Sequence, residues 1–239
     1  MNIEWSLSKD DVDRVHSVIS ENSAAAQERL DRIEWRSGRN VTRAQFWEAM
    51  VRVRLTTQVR DTPEGNLAQM PTRGGFPFRI SEIENDSSPQ TLKGILVHHG
   101  VGRHRERTSN DLAVNFARLN EPGRWNAILT LCNSLREQQC WRKERAVADE
   151  IQATFQGFGP KQSRNLLQRL ALTRFEIPID SRVTSWLNGE LNFPFVVSPI
   201  GLQDRAVYHL ILDGLRQLCE KANVFPCVLD AAVFAAGGA

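Results

Sequence analysis

The chain has 239 residues, 41% of them hydrophobic and 24% charged, with a net charge of +2. That length can bury a good core in one or two domains, and the composition is that of an ordinary globular protein. So small a net charge does not announce a nucleic-acid binder, and the distribution of cations says more. Of the 30 basic residues only Lys9, Lys93, Lys143, Lys161 and Lys221 are lysines. The arginine bias suits phosphate recognition, and a GC-rich coding sequence gives the same bias with no function. Cys132, Cys140, Cys219 and Cys227 form no C-x-x-C, so reduced, mostly buried thiols are expected, with no zinc site. No apolar run approaches about 18 residues. The opening MNIEWSLSKDD has no basic-then-apolar signal pattern. The expected location is intracellular: cytoplasmic and nucleoid-associated, or nuclear.

In chain order, residues 1–8 read as a short strand or arm, and 9–35 as helix broken near 20–23. A turn follows at 37–40. Thr42-x-x-Gln45 is a capping-box pattern, and the helix it opens carries Phe46, Met50, Val53 and Leu55 near one face. Residues 61–88 hold Pro63, Pro71 and Pro77 among glycines and polar residues, and read as a loop tucked by its own aromatics or one that meets DNA. Ser88-Pro89 starts a helix that stops at Gly100. His98, His99 and His104 lie close together, but no carboxylate or cysteine completes a metal triad. Arg103, Arg105 and Arg107 lead into a helix over 110–119 and read as a solvated face or a DNA contact. Two more helices are expected over 121–137 and 139–155.

The stretch 155–186, FQGFGPKQSRNLLQRLALTRFEIPIDSRVTSW, carries the most information. Gly157-Phe158-Gly159 is a tight turn, and Pro160 suits the first position of a helix. Leu166, Leu167, Leu170 and Ala171 recur at helical spacing. Ile177-Pro178-Ile179 is extended, because a residue before proline avoids the α region. Asp180 then stands where it can cap the next helix. Lys161 and Asp180 are 19 positions apart, one helix out and one extended segment back. Beyond them, 191–199 is an extended connection, 203–223 a long helix, and Pro226 opens a final helix. The fold class read from this is mainly α, with few short extended segments.

The run G-F-G-x-K-x-S followed by I-P-I-D-x-R-V resembles the helix-hairpin-helix DNA glycosylase superfamily. More narrowly it is similar to the bifunctional 8-oxoguanine glycosylase/AP lyase branch. The two boxes cover about an eighth of the chain. Ser163 stands where the family has alanine, and Arg182 where it often has histidine. The resemblance implies a two-lobed helical fold: a central lobe of about 42–160, a second lobe of 1–41 plus 161–239, and the hairpin at 155–162 at their junction. It implies Lys161 as nucleophile at the sugar C1′, followed by a Schiff base and β-elimination, with Asp180 stabilising the developing charge. Gly157, Phe158, Gly159 and Arg182 would grip DNA, and Gln58, in a segment like the family's L-S-x-Q-x-x-D, would fill the space left by the flipped nucleotide. Asp230 and Phe234, four apart on the last helix, match a polar residue and an aromatic that meet the flipped base.

The resemblance further implies double-stranded DNA with a damaged base as partner, a monomer, and no iron–sulfur cluster; it leaves room for a structural monovalent cation at the hairpin. The alternatives are the same chemistry on another modified base, a helix-hairpin-helix binder without catalysis, and an all-helical protein-interaction module.

Overall fold

The computed structural model describes residues 5–56, 76–101, 104–137 and 140–237. Among the described residues, twelve α-helices and one 3-10 turn make up the regular structure, and there is no β-strand. The protein is mainly α. The chain divides into two units: Met1–Arg39, Leu135–Asp149 and Gly159–Ala239 form the first, Asn40–Ser134 and Glu150–Phe158 the second. Residues 135–149, counted with the central lobe in the sequence reading, therefore belong to the first unit.

Helix starts follow local chemistry. In α1 (Lys9–Glu21), Ser8 Oγ accepts from Asp11 N–H at 3.1 Å while Asp11 accepts from Ser8 N–H at 2.7 Å. Asn22 then breaks the helix, its side-chain amide donating to Val18 O at 3.0 Å, before α2 (Ser23–Arg36). In α3 (Arg43–Thr56) the expected capping box is present: Thr42 N–H donates to Gln45 Oε1 at 3.1 Å and Gln45 N–H to Thr42 Oγ1 at 3.2 Å.

In the second unit, α3 is buried on several sides, Trp47, Ala49 and Val51 as well as Phe46, Met50, Val53 and Leu55. The four expected core residues are buried, and the buried surface is wider than their one face, leaving Arg43, Gln45, Glu48 and Arg52 on the outer side. The short α4 (Ile80–Ile83) follows Phe78, whose side chain is fully buried and whose carbonyl accepts from Trp47 Nε1 at 2.7 Å. That part of the 61–88 loop is tucked by its aromatics; residues 57–75 lie outside the described residues. Helix α5 (Pro89–His98), capped by Ser88, packs on α6 (Arg105–Leu119), which starts five residues before the expected 110. Helix α7 spans Arg124–Glu137 and α8 spans Trp141–Thr154.

The first unit is built around its last helix. The remaining helices are α9 (Pro160–Arg169), α10 (Ser181–Gly189), α11 (Arg205–Lys221) and α12 (Pro226–Ala236). Helix α12 contacts α1, α2, α10 and α11, and every residue from Pro226 to Val233 is buried. Each large apolar side chain so enclosed contributes roughly 1.5–3 kcal/mol. Asp230 is the one charged residue in that helix. Trp5 packs at 5.0 Å from Phe193 and against Gly214, where a Cβ would come within 2.9 Å of its ring.

Candidate functional site

The two halves of the hairpin stretch sit in different units. In the second, Gly157 has φ 78°, and a Cβ there would lie 2.5 Å from Asp111 Oδ2 and 2.7 Å from Arg54 Cζ. Only glycine fits that place and that backbone. Arg54 is buried, donates to Gly157 O at 2.8 Å and pairs with Asp111. The Phe158 side chain is buried, with its ring 6.2 Å from Phe155. An aromatic beside an apolar cluster gains more from burial than from solvent.

In the first unit, Gly159 is the N-cap of α9 with φ −89° and ψ −173°, a conformation open to any residue. Pro160 takes the first helical position, as expected. Lys161 follows in the first turn, half-buried. Its ammonium makes no ion pair or hydrogen bond among the described residues, and the carboxylate of Asp180 is engaged elsewhere. Asp180 caps α10 as its sequence position predicts: Oδ1 accepts from Arg182 N–H at 2.9 Å and Val183 N–H at 3.0 Å. Its Oδ2 lies 3.3 Å from Arg182 Nη1.

Several side chains that hold this arrangement have no local signature. Arg164, fully buried, donates to Glu176 and Asp149, both at 2.9 Å, and to Pro160 O at 3.3 Å. It therefore ties the start of α9, and with it Lys161, to the segment leading to Asp180. The Glu144 carboxylate accepts from the N–H groups of Arg174, Phe175 and Glu176 at 2.8–3.0 Å and from Thr173 Oγ1. Burial still pushes its carboxyl up against those four donors. The extended Ile177–Ile179 segment has a side chain for a partner: Tyr208 Oη accepts from Ile179 N–H at 2.7 Å and donates to Ile177 O at 3.2 Å. Buried backbone groups need such partners, and the chain's single tyrosine supplies two of them here.

Asp180 also belongs to a cluster with the last helix. The Arg182 guanidinium lies 3.9 Å over the Phe234 ring, and its stem packs on Gly237. Phe234 is half exposed, at 52%. Asp230 is buried, 3.1 Å from Arg29 Nη1 and hydrogen-bonded by Gln168. Burial pushes its carboxyl up to about 6; Arg29 and Gln168 pull it down, and the Asp180 charge adds to the rise. Four residues apart on one helix, one is inside and the other outside, because Asp230 lies among packed helices and Phe234 in the last turn. Gln168 is two turns from Lys161 on the same face of α9, about 10 Å along the axis.

No family model, no curated protein and no solved structure matches the chain.

Gln58 and Arg103 lie outside the described residues. Among the described residues no group of three or more His, Cys, Asp or Glu side chains is placed to hold a metal ion, and no helix is long and apolar enough to cross a membrane. Three of the four cysteines, Cys132, Cys219 and Cys227, are buried.

Proposed function

We propose that this protein is a bifunctional DNA glycosylase/AP lyase of the helix-hairpin-helix type, with two helical lobes, that excises an oxidised purine such as 8-oxoguanine. The observation that carries the reading is the setting of Lys161. It stands in the first turn of a helix entered through a glycine turn, its ammonium is not tied to a carboxylate, and a capping aspartate follows 19 residues on.

In this reading the first turn of α9 offers backbone N–H groups to a phosphate. The nucleotide leaves the stack, with Gln58 filling the gap. The Lys161 amine, once neutral, attacks C1′; the C1′–N bond breaks and the base departs with the electron pair and a proton. The ring-opened sugar then forms an imine with Lys161, and loss of a C2′ proton expels the 3′ phosphate. Asp180 faces the positive charge that develops on the sugar. A base that stacks on Phe234 takes the place of the Arg182 guanidinium, which turns to a phosphate.

Borohydride reduction of the protein mixed with a duplex carrying 8-oxoguanine opposite cytosine should leave a covalent complex. Lys161→Gln should abolish it, with duplex binding retained. A protein that binds duplexes but neither traps nor nicks any member of a lesion panel would falsify the enzyme reading in favour of a non-catalytic binder.

A further inference from the structure

A recess lies in the first unit. Its walls are Trp141 at the start of α8, Phe175 in the turn after α9, Arg216 and Glu220 on α11, and Asn223 and Phe225 in the turn into α12. It encloses about 270 Å³. Phe175 and Phe225 meet edge to face with ring centroids 5.6 Å apart, and Phe225 is 37% exposed.

Cations gather around these rings. The Arg216 and Arg142 guanidiniums each lie 4.6 Å from the Trp141 ring, Arg145 lies 4.9 Å from it, and Arg174 lies 5.8 Å from Phe225. Arg145 is held by Glu176 and Asp213, each at 2.9 Å. Arg216 is only partly satisfied. Its Nη1 reaches Glu220 at 3.2 Å, but its buried Nε–H has no hydrogen-bond acceptor among the described residues, Asp213 being 4.0 Å away. A buried donor without an acceptor is unfavourable, so the Arg216 guanidinium is held less firmly than that of Arg145.

These features select a ligand class. Aromatic walls favour a flat ring over an aliphatic chain, and the arginines disfavour a cation. The volume sits just under the range of about 300–1,000 Å³ for small-molecule sites, so one ring system fits and two stacked ones do not. We propose that this cleft binds a single nucleobase carrying a phosphate, its ring against Phe225 and Trp141 and its acceptor groups toward Arg216. The source is either a free nucleoside monophosphate or an unpaired nucleotide of a strand. The proposal does not depend on the chemistry assigned to Lys161.

The test is calorimetric titration of the full chain with 5′-GMP and, separately, with a single-stranded pentadeoxyadenylate. Saturable one-to-one binding is expected, weakened at least tenfold by Arg216→Gln and by Phe225→Leu. Lys161→Gln should leave it unchanged, which separates this site from the proposed lyase site. Binding of 5′-GMP assigns the free nucleotide; binding of the strand alone assigns the strand. The indole N–H resonance of Trp141 should shift during titration of the wild-type protein, a readout that needs no variant to fold. No saturable binding of either probe, affinity indifferent to both substitutions, or an unmoved Trp141 resonance overturns the proposal.

Discussion

At the scale of single residues, the two hairpin glycines differ in what they require. Gly157 has a positive φ and no room for a Cβ, whereas the nearest contact for a Cβ on Gly159 is the end of the Gln162 side chain at 3.3 Å. Gly157→Ala should cost about 1–3 kcal/mol or more, and Gly159→Ala less than about 1 kcal/mol. Urea unfolding of the two variants measures the difference, and equal costs would contradict the geometry. Asp230 supplies a pH test. Its carboxyl is raised in the folded protein, from 3.8 to about 6, so the folded state holds the proton more tightly than the unfolded chain. Its stabilising contribution is complete below about pH 4 and lost as pH rises through about 6. The stability difference between wild type and Asp230→Asn should therefore move in favour of the wild type as pH falls from 7 to 4, by at most about 1.4 kcal/mol per pH unit. A difference that stays flat over that range would show that Asp230 is not buried as described. At this scale the sequence was legible where chemistry is local. Asp180 after Ile-Pro-Ile and Thr42 three residues before Gln45 announce caps, and both cap. The burial of Phe158 and Asp230 was not legible, because spacing along a helix or turn says which residues share a side, not which side faces the interior.

At the scale of elements, the extended return from α9 to α10 is the least conventional piece. Proline made its extension legible, but not its support. That support comes from Tyr208, Glu144 and Arg164, which are 29, 32 and 12 residues distant from their respective partners Ile179, Glu176 and Glu176. No local pattern announces such pairings, and a buried arginine least of all, since one is stable only with its partners assembled. Tyr208→Phe keeps the ring and removes the hydroxyl, leaving Ile179 N–H and Ile177 O without their partner. It should lower stability by about 1–3 kcal/mol with the far-ultraviolet helix signal unchanged. A cost near zero would mean that the segment finds other partners.

At the scale of the whole molecule, the first unit closes over chain ends far apart in sequence: α1 and α2 pack on α12. The helical pattern revealed each of these elements, but the three-segment composition of the unit could not be read from it. With a net charge of only +2, DNA affinity in the proposed function must come from local donors. Plotted against the logarithm of salt concentration, its logarithm should fall by about 0.9 for each phosphate engaged. Contacts confined to the hairpin and Arg182 predict a slope of about −2 to −4, and a slope steeper than about −6 would require a wider footprint.

The lone tyrosine has a practical consequence. Fluorotyrosine incorporated during expression would place one fluorine nucleus in the protein, against the segment that leads to Asp180. A one-line spectrum would then report, without resonance assignment, whether that segment stays seated as lesion-bearing duplex is added.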